Sequence, residues 1–204
     1  MSALEAIFNE IDLRPANATP VALAAVTDLA IEIAREGREG RKIGTIFTVG
    51  AEAEVMRRSR CLILDPLAGH PPEHRQIQDP DMRETVKELA QIDGGFVIDG
   101  TGTVLSACRY FESTLSSSQQ PLGLGTRHLA AASISAATSA IAVVVSESSI
   151  VRIYADGILS SEILPELWLL HRYMPHIAQP SLTPDHTHNL GIVTDRTEPA
   201  STAR

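Results

Sequence analysis

From Leu129 to Ser146 the chain carries no charged residue. A run of that length belongs either in the hydrocarbon of a membrane or in the interior of a folded domain. Alanine contributes little to insertion, and Ser133, Ser135, Thr138 and Ser139 interrupt the run with hydroxyls. Its end, Ile141-Ala-Val-Val-Val145, is β-branched and reads as a separate strand. The segment is therefore expected to be an alanine-rich helix feeding a buried strand, with no membrane association. Aromatic residues make up only 4% of the chain while alanine, valine, isoleucine and leucine are plentiful, which favours helices layered on a sheet. At 204 residues and 44% hydrophobic content the expected fold class is α/β: a single domain with a central mixed β-sheet flanked by helices on both faces.

Taken in order, residues 1–20 read as an N-terminal arm and linker. Residues 21–174 form the domain, and 175–204 form a tail containing Pro175, Pro180, Pro184 and Pro199. Val21 to Arg38 has one apolar side and glycines at its end, as a covering helix would. Arg41 to Gly50 reads as a strand, Ala51 to Arg58 as a helix and Cys61 to Leu64 as a short strand. Prolines and a glycine make 67–81 a surface loop, in which His70 and His74 are solvated rather than metal-bound. A helix over 82–91 leads to two strands, Gly94 to Ile98 and Thr103 to Tyr110, joined by Asp99-Gly-Thr-Gly102 as a hairpin turn. Glu112 to Gln120 is a flexible loop. Strands over 141–145 and 150–154 are followed by a turn at 155–157 and a terminal helix from Ser161 to Arg172. His186 and His188 are read as tail residues without a metal.

A net charge of -8 argues against a general nucleic-acid surface, so any phosphate partner should be small. Cys61 and Cys108 have no CxxC spacing, and no signal-peptide pattern opens the chain. Reduced thiols in the cytoplasm are expected.

Immediately before the uncharged run stands Leu122-Gly-Leu-Gly-Thr-Arg-His-Leu129. Its glycines let the backbone approach a ligand, Thr126 is a candidate helix cap, and Arg127 and His128 fall in the first helical turn. Free amides, the helix dipole and a guanidinium fork together outline an anion site. On these residues alone, a solvated arginine at an ordinary helix start is the better account.

Two further motifs change that balance: Asp93-Gly-Gly95 at the start of a strand, upstream, and Val143-Val-Val-Ser-Glu147 at the end of another, downstream. The ordered set resembles the diadenylate cyclase domain, and Gly44-Thr-Ile-Phe-Thr-Val-Gly50 is similar to the strand that opens that domain. The resemblance covers about residues 41–160 and implies condensation of two ATP molecules into cyclic di-AMP and two pyrophosphates. It implies catalytic roles for Asp93, Arg127 and His128, and substrate contacts from Gly94, Leu105, Gly125, Thr126, Ser146 and Glu147. Asp93 and His128 would also serve a divalent metal, Mn or Mg. Such chemistry needs a carboxylate near the attacking 3′-hydroxyl and cations for charge developing on phosphate. One copy of each motif, with no internal repeat, implies a homodimer or higher homo-oligomer whose sites meet face to face.

Two positions depart from the family pattern. Gly95 replaces the usual alanine, expected as a harmless small-for-small change, and Leu129 replaces the usual third residue of Arg-His-Arg. The second change removes a cation, for which Arg109 or Arg152 are the candidate substitutes. Two function classes stand: a working cyclase, favoured by retention of Asp93, and a non-catalytic ATP or cyclic di-AMP sensor, favoured by loss of that arginine.

Overall fold

Alternation decides how each strand divides its side chains. In a computed structural model of the protein, Thr45–Val49 (β1) sends Phe47 and Val49 to one face of the sheet and Ile46 to the other. Gly95–Ile98 (β3) splits Phe96 and Ile98 from Val97, and Ile141–Val145 (β5) splits Ile141, Val143 and Val145 from Ala142 and Val144. Each of these strands is buried on both sides, which is why they read in sequence as short apolar runs rather than as polar–apolar repeats. The structure describes residues 11–113 and 125–165, together with the backbone of Pro180–Asp185 and Leu190–Asp195.

The seven-stranded sheet also contains Ser59–Cys61 (β2), Val104–Phe111 (β4), Val151–Ala155 (β6) and Ile158–Ile163 (β7), in the order β2-β4-β3-β1-β5-β6-β7. Only β1 and β3 pair in parallel; the other neighbours are antiparallel, so the sheet is mixed. Phe47 and Phe96 lie opposite one another in the parallel pair with ring centroids 5.1 Å apart.

Pro20–Glu36 (α1) and Pro80–Leu89 (α3) contribute to the core on one face, and Glu52–Arg57 (α2) and Thr126–Thr138 (α4) to the core on the other. The α/β class with helices on both faces is what the sequence led us to expect. α1 begins where the Thr19 hydroxyl accepts from the Ala22 amide at 3.2 Å with proline in the first turn, and it stops at Gly37, whose φ is +60°. α4 packs through Ala131, Ala132 and Ile134, the two alanines letting it lie close over Ala142.

Ahead of α1, Ile11 and Ala16 are buried. A side chain at Gly50 would fall 2.0 Å from the Ala16 carbonyl oxygen and one at Gly100 would fall 1.8 Å from that of Asn17, so both glycines are there to admit this segment.

Two elements differ from expectation. The strand expected at Cys61 to Leu64 is instead β2, ending at Cys61, with Leu64 turned out to solvent. Over 161–163 the expected helix is not formed: Ile158 to Ile163 alternates outward and inward along β7 and pairs with β6, so cross-strand pairing overrides the helical reading there, while 166–172 of that expected helix lie outside the described residues. The compact units are Met1–Pro165 and Glu166–Arg204, and in the second Pro180–Asp185 (β8) pairs antiparallel with Leu190–Asp195 (β9). Most of the loop expected at 112–120, the motif residues Leu122 to Leu124, and His186 and His188 lie outside the described residues.

Candidate functional site

Strand directions carry the three motifs to one end of the central strands β3, β1 and β5. Thr45 pairs with Val145 and Ile46 with Gly95, so the entry to β1, the entry to β3 and the exit from β5 lie side by side. Gly44, Asp93-Gly94 and Ser146-Glu147 are therefore neighbours, and the first turn of α4 sits over them.

Arg127 ties these pieces together. Its Nη1 donates to Glu147 Oε1 at 2.8 Å, and its Nη2 stands 3.9 Å from Asp93 Oδ1. Beneath it lies Gly44: a methyl group there would fall 2.6 Å from Arg127 Nη1. The guanidinium is about a third exposed, Glu147 and Asp93 more so, and all three line a cleft of about 360 Å³. Arg38, Arg41 and Lys42 also line it, giving four cations against two carboxylates in a chain whose net charge is -8. Arg38 is held by Glu84 at 3.6 Å and by Glu88, while Arg41 and Lys42 are exposed. A larger hollow of about 430 Å³, lined by Glu54, Arg57, Arg58, Glu112 and Ala137, contains none of the motif residues.

The Asp-Gly-Gly turn has a local cause. Gly94 has φ +104°, and a side chain on it would meet the Cys108 carbonyl carbon at 2.8 Å and the Arg109 amide nitrogen at 2.9 Å. β4 itself therefore demands this glycine, whatever a ligand adds. Asp93 Oδ1 accepts from the Gly94 amide at 2.9 Å, and the side chain is largely exposed. Gly95 is not interchangeable with alanine here, since a methyl group would lie 2.5 Å from the Ile46 carbonyl oxygen and 2.6 Å from the Phe111 ring. The small-for-small expectation is corrected on that ground: Phe111 fills the room an alanine would need.

At the start of α4 the cap is Gly125, not Thr126, and Thr126 is the first helical residue with its side chain making no capping bond. The Gly125 carbonyl accepts from the His128 and Leu129 amides at 3.1 and 3.4 Å. Gly125 and Thr126 are exposed beside Arg127. Ser146 turns the chain after β5: its hydroxyl lies 2.7 Å from that of Ser148 and accepts from the Ser148 amide. Leu105 is half-buried against the core beneath α4 and does not line the cleft.

His128 faces inward, only 5% exposed. Its Nδ1 lies 3.2 Å from the Tyr154 hydroxyl and its Nε2 3.3 Å from Arg152 Nη1, so neither ring nitrogen is free for a metal in this arrangement. Burial, with help from Arg152, lowers its pKa to about 4 and keeps the imidazole neutral. Arg109, one candidate for the missing cation, is buried and spent: it donates to the Ser59 and Ser106 hydroxyls, the Met56 and Ser59 carbonyls and the Cys61 sulfur.

Among the described residues no group of three or more His, Cys, Asp or Glu side chains could cage a metal ion. Asp93 and Glu147 are nonetheless hard oxygen donors at one cleft, which suits Mg²⁺ or Mn²⁺ shared with a phosphorylated ligand. No helix among the described residues is long and apolar enough to cross a membrane. Sequence reasoning missed Gly44, Arg41 and Lys42 as parts of the site, although a basic pair ahead of a glycine-led strand was visible.

Residues 32–159 match the family described as DisA bacterial checkpoint controller nucleotide-binding. A diadenylate cyclase of Methanocaldococcus jannaschii is 48% identical over 149 residues, 72% of this chain and 47% of the relative. A diadenylate cyclase of Haloferax volcanii is 37% identical over 152 residues, 74% of this chain and 55% of the relative. The chain thus spans about half the length of the curated relatives it matches. A crystal structure of a hypothetical membrane spanning protein from Bacillus cereus shares the fold, with a TM-score of 0.51 and 19% identity over 68% of this chain and 61% of that one.

Proposed function

Since this chain belongs to the DisA nucleotide-binding family, the diadenylate cyclase domain, we propose that it condenses two ATP into cyclic di-AMP and two pyrophosphates. The observation that carries the reading is Arg127, which holds Glu147 at 2.8 Å and stands 3.9 Å from Asp93, joining all three motifs at one cleft. The curated relatives, both named as cyclases, do not favour a binding-only module.

In the proposed reaction each 3′-hydroxyl oxygen forms a bond to the α-phosphorus of the other nucleotide. The bond from that phosphorus to the β-phosphate bridging oxygen breaks, and pyrophosphate leaves with its electron pair. Asp93 stands at the cleft as the acceptor for the hydroxyl proton, and Arg127 offers a planar pair of donors to phosphate oxygens. Gly125 and Thr126 precede Arg127 at the α4 N-terminus and Ser146 precedes Glu147, and they are assigned to phosphate contacts through these neighbours, while Gly94 keeps the Asp93 turn tight. Asp93 and Glu147 would hold a divalent ion, Mn or Mg, which when bound neutralises phosphate charge. We assign His128 to orienting this helix start through Tyr154 and Arg152 rather than to that ion. Leu105 is assigned to the adenine side only through its place in the family motif.

One chain carries one set of motifs, so two copies are required with their clefts facing. The substrate and the two free thiols, Cys61 and Cys108, fit a cytoplasmic setting. No nucleic acid is needed.

The test is incubation of the purified protein with ATP and either Mn²⁺ or Mg²⁺, with mass analysis of the products and a dilution series. Cyclic di-AMP with two pyrophosphates, at a specific activity that falls on dilution below the dimer dissociation constant, is expected. ATP left intact refutes the cyclase. Constant specific activity in a preparation shown by light scattering to be monomeric refutes the facing-site geometry.

A further inference from the structure

The contacts that hold His128 behind the first turn of α4 continue through a chain of polar side chains to β7. Arg152 and Tyr154 sit two apart on β6 and so face the same side of the sheet, under α4. Arg152 pairs directly with Glu162 across β6 and β7, and its Nε donates to the Glu162 carboxylate. From that anchor its Nη1 reaches His128 Nε2 at 3.3 Å, while the Tyr154 hydroxyl lies 3.2 Å from Nδ1. The Arg152 side chain is 11% exposed.

A guanidinium donates and never accepts, so Nε2 must present its lone pair to Arg152. The ring proton of a neutral His128 is then on Nδ1, aimed at the Tyr154 oxygen. An imidazole with both nitrogens answered has one tautomer and one orientation, and the residue it adjoins in the helix turn is Arg127. The position that would bring a second arginine to this turn is Leu129, which brings none, and Arg109 is enclosed by β2 and β4. Among the described residues Arg152 is the guanidinium in contact with His128.

We propose that Arg152, anchored on Glu162, is a positioning residue for the cyclisation: it fixes His128 in the Nδ1–H form behind the phosphate-binding turn. This rests on the cyclase reading above. Burial of His128 beside that cation agrees with its neutral state. The alternative is a cross-strand ion pair that merely joins β6 to β7.

The experiment compares wild type, Arg152→Met and Arg152→Lys by the ring-nitrogen NMR shifts of His128 without ATP, and by kcat and KM for ATP with Mn²⁺. Arg152→Met should lose the single Nδ1–H signature and lower kcat by about tenfold or more, with KM changed by no more than about threefold. Arg152→Lys, which keeps a cationic donor, should recover most of the rate. A folded Arg152→Met protein that keeps the wild-type tautomer and kcat overturns the proposal. If Arg152→Met does not fold, Glu162→Gln decides: loss of the single tautomer with a fall in kcat of about threefold supports the anchor, and unchanged spectra and rate refute it. A wild type that makes no cyclic di-AMP removes the cyclase reading instead, and the tautomer measurement still tests the contact.

Discussion

Two arginines, both near the start of β3, end in opposite circumstances. Arg109, on β4, is 7% exposed and donates to two serine hydroxyls, two backbone carbonyls and a thiol sulfur, all supplied by fixed neighbours in the fold. Arg127, in the first turn of α4, is about a third exposed and, among the described residues, answers to side-chain carboxylates, Glu147 and more distantly Asp93. Enclosed by backbone, a guanidinium is part of the architecture, because moving it strands buried acceptors. Between two exposed carboxylates at a cleft it can exchange partners for a phosphate at little cost. The difference explains why one cation fastens β2 to β4 and the other stays open at the cleft, though both are plain arginines in the sequence.

The largest expected effect is at the carboxylate beside the open arginine. Asp93→Asn should lower cyclic di-AMP formation by about a thousandfold or more, since it removes the proton acceptor and a metal-side charge together. Its thermal midpoint should stay close to wild type because the side chain is 84% exposed. An unchanged rate by product analysis would take Asp93 out of the reaction. The enclosed arginine should show the reverse pattern: Arg109→Met should cost about 3 kcal/mol in denaturant unfolding by leaving buried acceptors unanswered, with ATP affinity kept in the folded fraction. If instead it binds ATP poorly and unfolds normally, the contrast between the two arginines is wrong.

Arg127→Ala should weaken ATP binding by about 1.5–3 kcal/mol in calorimetry and change the unfolding free energy by less than about 1 kcal/mol. Equal affinity would return Arg127 to a surface ion pair. A smaller effect concerns the ring next to it. His128 has a folded-state pKa of about 4, below its usual 6.5, so the unfolded chain takes up the proton first as pH falls. Stability is complete above about pH 6.5 and is lost as pH falls toward and through 4, by about 1–2 kcal/mol after allowance for solvent near the helix start. His128→Gln should flatten that part of the stability profile, and a variant with the same slope would show that other groups set it.

What the sequence disclosed was mostly local. Asp-Gly-Gly, Gly-Thr-Arg-His and the valine strand with Ser-Glu each mark the end of one element, and strand alternation then brings those ends together. What it concealed depends on partners far along the chain. The close approach over Gly44 comes from Arg127, the demand for glycine at 94 from β4, and the intolerance of alanine at 95 from the Ile46 carbonyl and the Phe111 ring. Ser161 to Ile163 has helix-compatible composition, yet pairs with β6 because Arg152 and Glu162 meet across the two strands. The inward turn of His128 was equally hidden, since its nitrogens find their partners in Tyr154 and Arg152, both on β6 and far along the chain.

The central claim is that the cleft at Arg127, rather than the enclosed Arg109, receives the nucleotide phosphates. It is tested most directly by following the arginine Nε–H NMR signals of the wild-type protein while a non-reactive ATP analogue with Mg²⁺ is added, the two signals being assigned with Arg127→Lys and Arg109→Lys. The account predicts a saturable shift of the Arg127 signal as it leaves Glu147 for phosphate, with the Arg109 signal stationary. A stationary Arg127 signal under conditions where the analogue is shown by calorimetry to bind would contradict it.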